Sequence, residues 1–493
     1  MLSTLIFSAV LTVFSAAILL YVSLATGLGP WIGPMIVMMV RLGGSFSFKR
    51  LESRTIALIT ITASFGGAIA TGIGFSLPTL YFIDPALWAS WMAAPLWFCA
   101  LMAVLVLSAG ILGIRIAKHA VPALLHDATP FPVSAAVTSA IASSYGPLEA
   151  GIFGGGILCA MATGCANYFW ALGLSPVCWA AGFLAGTSIV MPMLVGMAGK
   201  YVVVAPLGQC YPALSTLDVT FALCSGLLVS SFIKPFVYHP MRSIVSLRAT
   251  TLAVLRKTDL WSGVLVAGLC YYFNMSLAGV CFFAIILVPL LRHLGDLAAH
   301  TGLATYGRYM TIAMIPLMCI PGVSGVSVVI ACTLIGIAGG VLVDSLFSYK
   351  IAQQCGIDEP TLRRAQYYGV AITAMSIGVL IWLLCTHFTL GVSPLIAHRG
   401  ISRALLMNTF QFNTTIVLLG IALGFLLDRL GINAAMVFGG LIMPNGLIIA
   451  LACGAGIRAI TRRVAKSTLF WSGVLAGDVV WVIVQIILFS FYM

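Results

Sequence analysis

Apolar residues follow one another along this chain in long runs, with neither the alternation of a half-buried strand nor the single stripe of a surface helix. Bounded by charges or by Pro and Gly, the runs read as 3–25, 28–40, 55–83, 87–113, 131–145, 147–171, 175–199, 218–238, 260–291, 309–343, 367–387, 403–427, 434–457 and 467–492. Most reach the length of about 20 residues at which an apolar helix crosses the hydrocarbon core of a bilayer. The runs at 260 and 309 exceed one span and are expected to hide a break. The pattern predicts an all-α polytopic membrane protein of roughly 13 to 16 transmembrane helices or half-helices.

One run is built from residues that weaken a helix. GLSPVCWAAGFLAGTSIVMPMLVGMAGK, residues 173–200, holds five glycines, two prolines and the Thr187/Ser188 pair. Small residues let backbones approach closely in lipid, where packing drives helix association, so Gly182, Gly186, Gly196 and Gly199 read as a packing face. Pro192 and Pro444 each free a backbone carbonyl that lipid cannot satisfy. Thr187, Ser188 and Asn445 lie beside these prolines, either as the lining of a substrate route or as local patches on a kink. A displacement of 258 residues carries Gly173 to Gly431, Gly182 to Gly440, Gly196 to Gly454 and the closing cation Lys200 to Arg458. A displacement of 256 carries Thr55-Ile56-Ala57-Leu58 to Thr311-Ile312-Ala313-Met314. A carrier built from two related halves, about 1–257 and 258–493 within one integral membrane domain, is the expectation.

Composition agrees with the pattern, since 61% of the residues are hydrophobic and 7% charged. The formal charge of +12 does not point to nucleic acid. The cations stand in short clusters between spans, Lys49/Arg50/Arg54, Arg115/Lys118, Arg242/Arg248/Arg256/Lys257 and Arg458/Arg462/Arg463/Lys466, which is the signal of cytoplasmic loops. No Lys or Arg precedes Arg41, so the first run reads as a retained span rather than a cleaved leader. The thirteen cysteines are scattered singly, with no CxxC pair and no Cys/His cluster at ligand spacing, so they read as packing residues and neither a metal nor a cofactor is expected. The longest polar stretch, around 350–366, is too short for a soluble domain.

Four stretches resemble, in order, the oligopeptide transporter family, including its yellow stripe-like branch. FPVSAAVTSAIAS at 131–143 is similar to the family's aromatic-Pro-x-Gly-x-Ala segment, and residues 173–200 to its span that opens on a Ser-Pro pair. MVFGGLIMPNGLIIALACGAGIR at 436–458 resembles its late glycine-rich span, and SGVLAGDVVW at 472–481 its Ser-Gly-x-x-x-Gly-acid segment. The resemblance implies a proton-driven symporter that imports short peptides or peptide-like metal chelates, and a homodimer. It places Pro132, Ser134 and Ser175 on the substrate pathway. Ser134 stands where the family commonly has Gly, and GGVLVDSLFSYK at 339–350 keeps only Asp344 of the family's Asp-x-Lys-x-Gly region, with Leu346 in place of the Lys. The long acidic extension of plant and fungal members is missing from the first 45 residues, which implies a bacterial member in an inner membrane.

The twelve acids sort by position. Asp84, Asp127, Asp218, Asp428 and Asp358/Glu359 sit at the edges of runs as caps or loop charges. Asp344 closes a run and reads as interfacial. Glu149 opens a glycine-rich span, either as a first-turn carboxylate or as a gate. Asp478 lies in an apolar run with no other charge, roughly mid-bilayer, on one helix face with Trp471, Trp481 and Gln485. A carboxylate there is a functional candidate by default, so Asp478 and then Glu149 are the proton-coupling candidates. A buried acid held for packing is the alternative.

Amides inside apolar runs, Asn274, Asn408, Gln411, Asn413 and Asn167, offer both donors and acceptors to a zwitterionic peptide, or else bond between helices. An enzyme is the second class weighed. GVSG at 322–325 matches the motif of intramembrane serine proteases, with Ser324 as nucleophile and His387 in a later apolar segment as its base. LAGD at 475–478 lacks the first glycine of the aspartyl type, and no ring of filter residues marks a channel.

Overall fold

The computed structural model describes residues 2–27, 29, 33–46, 52–125, 131–142, 147–170, 176–212, most of 214–230, 260–301, 306–392, 395–408, 413–461 and most of 467–484. Among them there is no strand. Nearly all are helical, and six helices are long and apolar enough to cross a membrane: Thr4–Thr26, Ser53–Ile83, Pro95–Pro122, Val190–Cys210, Gly325–Gln354 and Glu359–His387. Shorter apolar helices run over Gly151–Ala166, Leu277–Arg292, Tyr309–Met318 and Asn445–Ile460. The chain is an all-α, multi-pass integral membrane protein. It divides into two compact units, one of Met1–Ser23, Trp31–Ala150 and Ile244–Leu390, the other of Leu24–Pro30, Gly151–Ser243 and Gly391–Met493. Each unit draws on both halves of the sequence.

The first unit comprises α1 (Leu2–Thr26, up to Ser23), α2 (Gly33–Phe46), α3 (Ser53–Ser76), the short α4 (Thr79–Ile83) and α5 (Pro85–Ala93), α6 (Pro95–Leu124) and α7 (Pro132–Ala142). Past the chain's midpoint it adds the five helices that end at His387. The fourth of these, Gly325–Gln354, is buried without interruption from Ser327 to Tyr349, and it packs against α3 and α6. A helix apolar on every side belongs in such a central place. Glycine sets its distance from α3, because a Cβ on Gly72 would overlap the backbone of Gly336 and one on Gly340 would overlap the carbonyl of Ala68. Hydroxyls within these helices are satisfied locally, as where Thr60, Thr71 and Thr333 donate to carbonyls one turn back.

The breaks expected in the two longest runs are present. Leu260–Tyr272 turns at Phe273–Ser276 into Leu277–Thr301, and Tyr306–Met318 is separated from Gly325–Gln354. Asn274 occupies the first reversal with φ 60°, a left-handed backbone that asparagine tolerates. It is therefore a turn residue rather than an amide inside a span. Asp344 departs further from expectation. It is buried within the central helix rather than interfacial, and Ser64 Oγ donates to its Oδ2 at 2.6 Å. Arg115 and Lys118 lie within α6, not in a loop, because that helix of 30 residues outlasts the hydrocarbon thickness.

Glu359–His387 begins with Asp358 as its N-cap. Thr361 donates to Asp358 Oδ2 through both its backbone N–H, 3.1 Å, and its hydroxyl, 2.7 Å, and these two bonds hold the carboxyl below the usual range. A carboxyl held low supports folding above its ordinary value near about 3.9 and loses that support as pH falls through its folded value. Thermal midpoints should therefore separate wild type from Asp358→Ala at neutral pH and converge in acid. Equal midpoints at neutral pH would remove the cap from the account.

Candidate functional site

The second unit is organised around two broken helices. The first consists of α9 (Pro176–Ala185) and α10 (Thr187–Gly199), joined at Gly186, whose φ of 77° suits glycine. The second joins Ala434–Ile442 to Asn445–Ile460 through Met443 and Pro444. The first break lies six residues before Pro192 rather than at it. Pro192 lies inside α10, where only one intrahelical bond is lost, while the turn that left-handed backbone interrupts is the one at Gly186.

The broken helices cross twice, with glycine facing glycine's helix each time. A Cβ on Gly182 would overlap Leu451 and one on Gly454 would overlap Trp179; one on Gly196 would overlap Val437 and one on Gly440 would overlap Met193. The 258-residue displacement that carries Gly182 to Gly440 also carries Gly196 to Gly454, so it exchanges the two crossings. The neighbouring helices repeat the device. Gly156 of α8 (Pro147–Trp170) meets Phe470 and Gly473, while Gly420 meets Leu223 and Gly226.

Each break frees a carbonyl, and each freed carbonyl is met by a cation from the other broken helix. The Phe183 carbonyl, four residues before Thr187, accepts from Arg458 Nη1 at 3.1 Å. The Met443 carbonyl accepts from Lys200 Nζ at 2.6 Å. Lys200 Nζ also donates to Asn445 Oδ1 at 2.8 Å, and Asn445 Nδ2 donates to the Tyr201 hydroxyl at 2.8 Å. Unsatisfied backbone inside a membrane costs several kcal/mol, of order 2 to 7 per group, so these bonds are a condition for the breaks to exist.

Asp478 is buried in the same unit, on a helical stretch that packs along α8: Gly477 lies against Ile157 and Trp481 against Gly164. Earlier in the same segment of sequence, Trp471 stacks on Phe183, with ring centroids 5.5 Å apart. Phe183 therefore joins the first break, through its carbonyl to Arg458 and through its ring to Trp471, seven residues before Asp478 in the sequence.

The other expected residues scatter. Thr187 is exposed at the start of α10, and Asn445 is the first residue after the second break. Asn413 caps Thr414–Arg429 by accepting from the amides of Thr415 and Ile416, and Asn408 ends His398–Met407, so both serve helix termini. Pro132 opens α7 in the first unit, where Ser134 Oγ donates to the Phe347 carbonyl at 3.0 Å and joins two helices. Ser175 and Gln411 lie outside the described residues, as do the side chains of Ser188 and Glu149 and the residue Gln485. Among the described residues no three metal-ligating side chains gather.

Lys200 and Tyr201 were missed. The lysine interrupts the apolar run, yet YVVVAPLG follows it at once, and that resumption was the available signal.

Ser324 and His387 are otherwise engaged. Ser324 caps Gly325–Gln354, its Oγ accepting from Ser327 N at 3.2 Å, and His387 Nδ1 lies 2.9 Å from the Leu383 carbonyl. Neither hydrogen-bonds the other among the described residues. Ser324→Ala should cost about 1 kcal/mol as a lost cap, read in thermal unfolding of the purified protein. A proteolytic activity abolished by that substitution would reverse the assignment. No protein-family model matches this chain, and no curated protein matches it either.

Proposed function

We propose that this protein is a proton-coupled secondary transporter that imports short peptides or peptide-like metal chelates, a carrier of the oligopeptide transporter type in a bacterial inner membrane, working as a homodimer. The observation that carries the proposal is the pair of broken helices with their cross-placed cations. Discontinuous helices inside a membrane are tolerated where protein or water, rather than lipid, meets the freed backbone, and carriers place substrate and coupling sites at such breaks. Thr187 and Asn445 stand at the two breaks and face the solute in this reading. Asp478 supplies the proton site, since a buried carboxylate seven residues after the tryptophan stacked at the first break can differ in protonation between two conformations and so bias their exchange.

Uptake into proteoliposomes of a peptide library and of metal chelates, with and without an inward proton gradient, tests the reading. Accumulation above the external concentration that requires the gradient is expected. Fluxes that only equilibrate, and are indifferent to the gradient, would favour a channel.

A further inference from the structure

The sequence treats Lys200 as the cation that closes a span, and the structure puts it elsewhere. Helix α10 does not stop at Gly199. It continues through a π-helical turn, Lys200–Val204, into Ala205–Cys210, and the apolar span it belongs to is Val190–Cys210. Lys200 is thus inside a continuous apolar helix rather than at its end, and it is the first residue of a π turn. Intramembrane cations are rare and face protein or water, and π turns inside helices occur frequently at functional sites.

Its surroundings are polar and uncompensated. Lys200 is half-buried and has no carboxylate partner among the described residues; its bonds go to the Met443 carbonyl and the Asn445 amide. An ammonium carries three donors, so these two acceptors do not exhaust it. Beside it stand the Tyr201 hydroxyl, on a side chain that is 65% exposed, the half-buried Asn445, the exposed Pro444, and open space over Gly446. An ammonium, an amide and a phenol gathered on an apolar helix would be expelled from lipid, so they border water or a solute. A cation with a spare donor next to neutral polar groups selects an anion.

Resting on the transport reading, we infer that Lys200, with Asn445 and Tyr201, forms a carboxylate subsite at the second break, and that the transported solute carries a free carboxylate there. The carboxylate supplies the negative charge that the described residues around Lys200 do not. Lys200 then has three partners in the loaded state, the solute, the Met443 carbonyl and the Asn445 amide oxygen, and solute binding is coupled to the hydrogen bond that holds the break.

The test uses the reconstituted wild-type protein, so no variant has to fold. A membrane-impermeant amine-reactive ester is added, and modification of Lys200 is followed by peptide mass spectrometry relative to the other modified lysines of the same sample, which corrects for ester consumed by the solutes' own amines. The solutes compared are dialanine, trialanine and nitrilotriacetate against dialaninamide and trialaninamide. Lys200 should react, and at least one carboxylate solute should slow its modification about tenfold at a concentration about ten times its dissociation constant, while the amides do not. A Lys200 that never reacts, or one protected by no carboxylate or equally by the amides, overturns the subsite. Concentrative uptake measured in the same vesicles is a separate readout, so the transport reading can fail while protection persists, or stand while protection is absent. As a second arm, Lys200→Arg should retain preference for the carboxylate solutes in uptake and Lys200→Gln should lose it.

Discussion

Asp478→Asn is expected to bind solute and exchange it across the membrane while losing accumulation against a gradient. Asparagine keeps the size of the protonated acid and a hydrogen-bonding end, so the packing along α8 survives, and what disappears is the ability to release a proton. One proton carried per solute across a difference of one pH unit corresponds to 1.36 kcal/mol, or about tenfold accumulation. The variant should hold an accumulation ratio near one under a gradient that gives wild type about tenfold, with counterflow exchange preserved. Accumulation in Asp478→Asn that keeps its dependence on pH would leave Asp478 as a packing residue, with Glu149 next in order.

Gly196→Val and Gly440→Val should each destabilise the protein by about 3 kcal/mol or more, at the upper end of what overpacking costs. The added Cβ at Gly196 would overlap the Val437 carbonyl, and that at Gly440 the Met193 carbonyl. Helical backbone cannot move aside as the tip of a side chain can. Because the two glycines serve one crossing, the double variant should lose much less than the sum, the second valine entering a gap opened by the first. Gly446, with nothing near its Cβ position, supplies the control, and Gly446→Ala should be close to neutral in thermal unfolding of the purified protein. Gly196→Val within about 0.5 kcal/mol of wild type would show that the crossing is loose.

Long runs of apolar residues were sufficient to read the all-helical membrane fold, and their excess length marked the breaks near 273 and 320. The site was legible only in part, because identical letters do different work. Gly182 and Gly196 pack against neighbouring backbone, as a packing face requires, but Gly186 between them turns the chain, and only its dihedral tells it apart. Pro192 and Pro444 look alike in sequence, yet one stays inside a helix and the other ends a break. Lys200 and Asp344 were both read as edges of runs, since charges usually bound spans. Their placement depends on partners far along the chain, the Met443 carbonyl 243 residues after Lys200 and the Ser64 hydroxyl 280 residues before Asp344. No local window contains such information.

The exchange of capping cations also bears on how the protein is made. A ribosome that has delivered residues 176–210 to the membrane has inserted the first broken helix, whereas Arg458, which satisfies its freed carbonyl, is still untranslated. During that interval the Phe183 carbonyl and the Lys200 ammonium lack their mature partners, and the nascent chain needs temporary shelter from the acyl chains, whether from the insertion machinery or from bound water. Synthesis of the last hundred residues is thus the step that makes the earlier span compatible with lipid. Chains halted before the second broken helix should be retained by the insertion machinery or degraded, although every residue of the first is already in place.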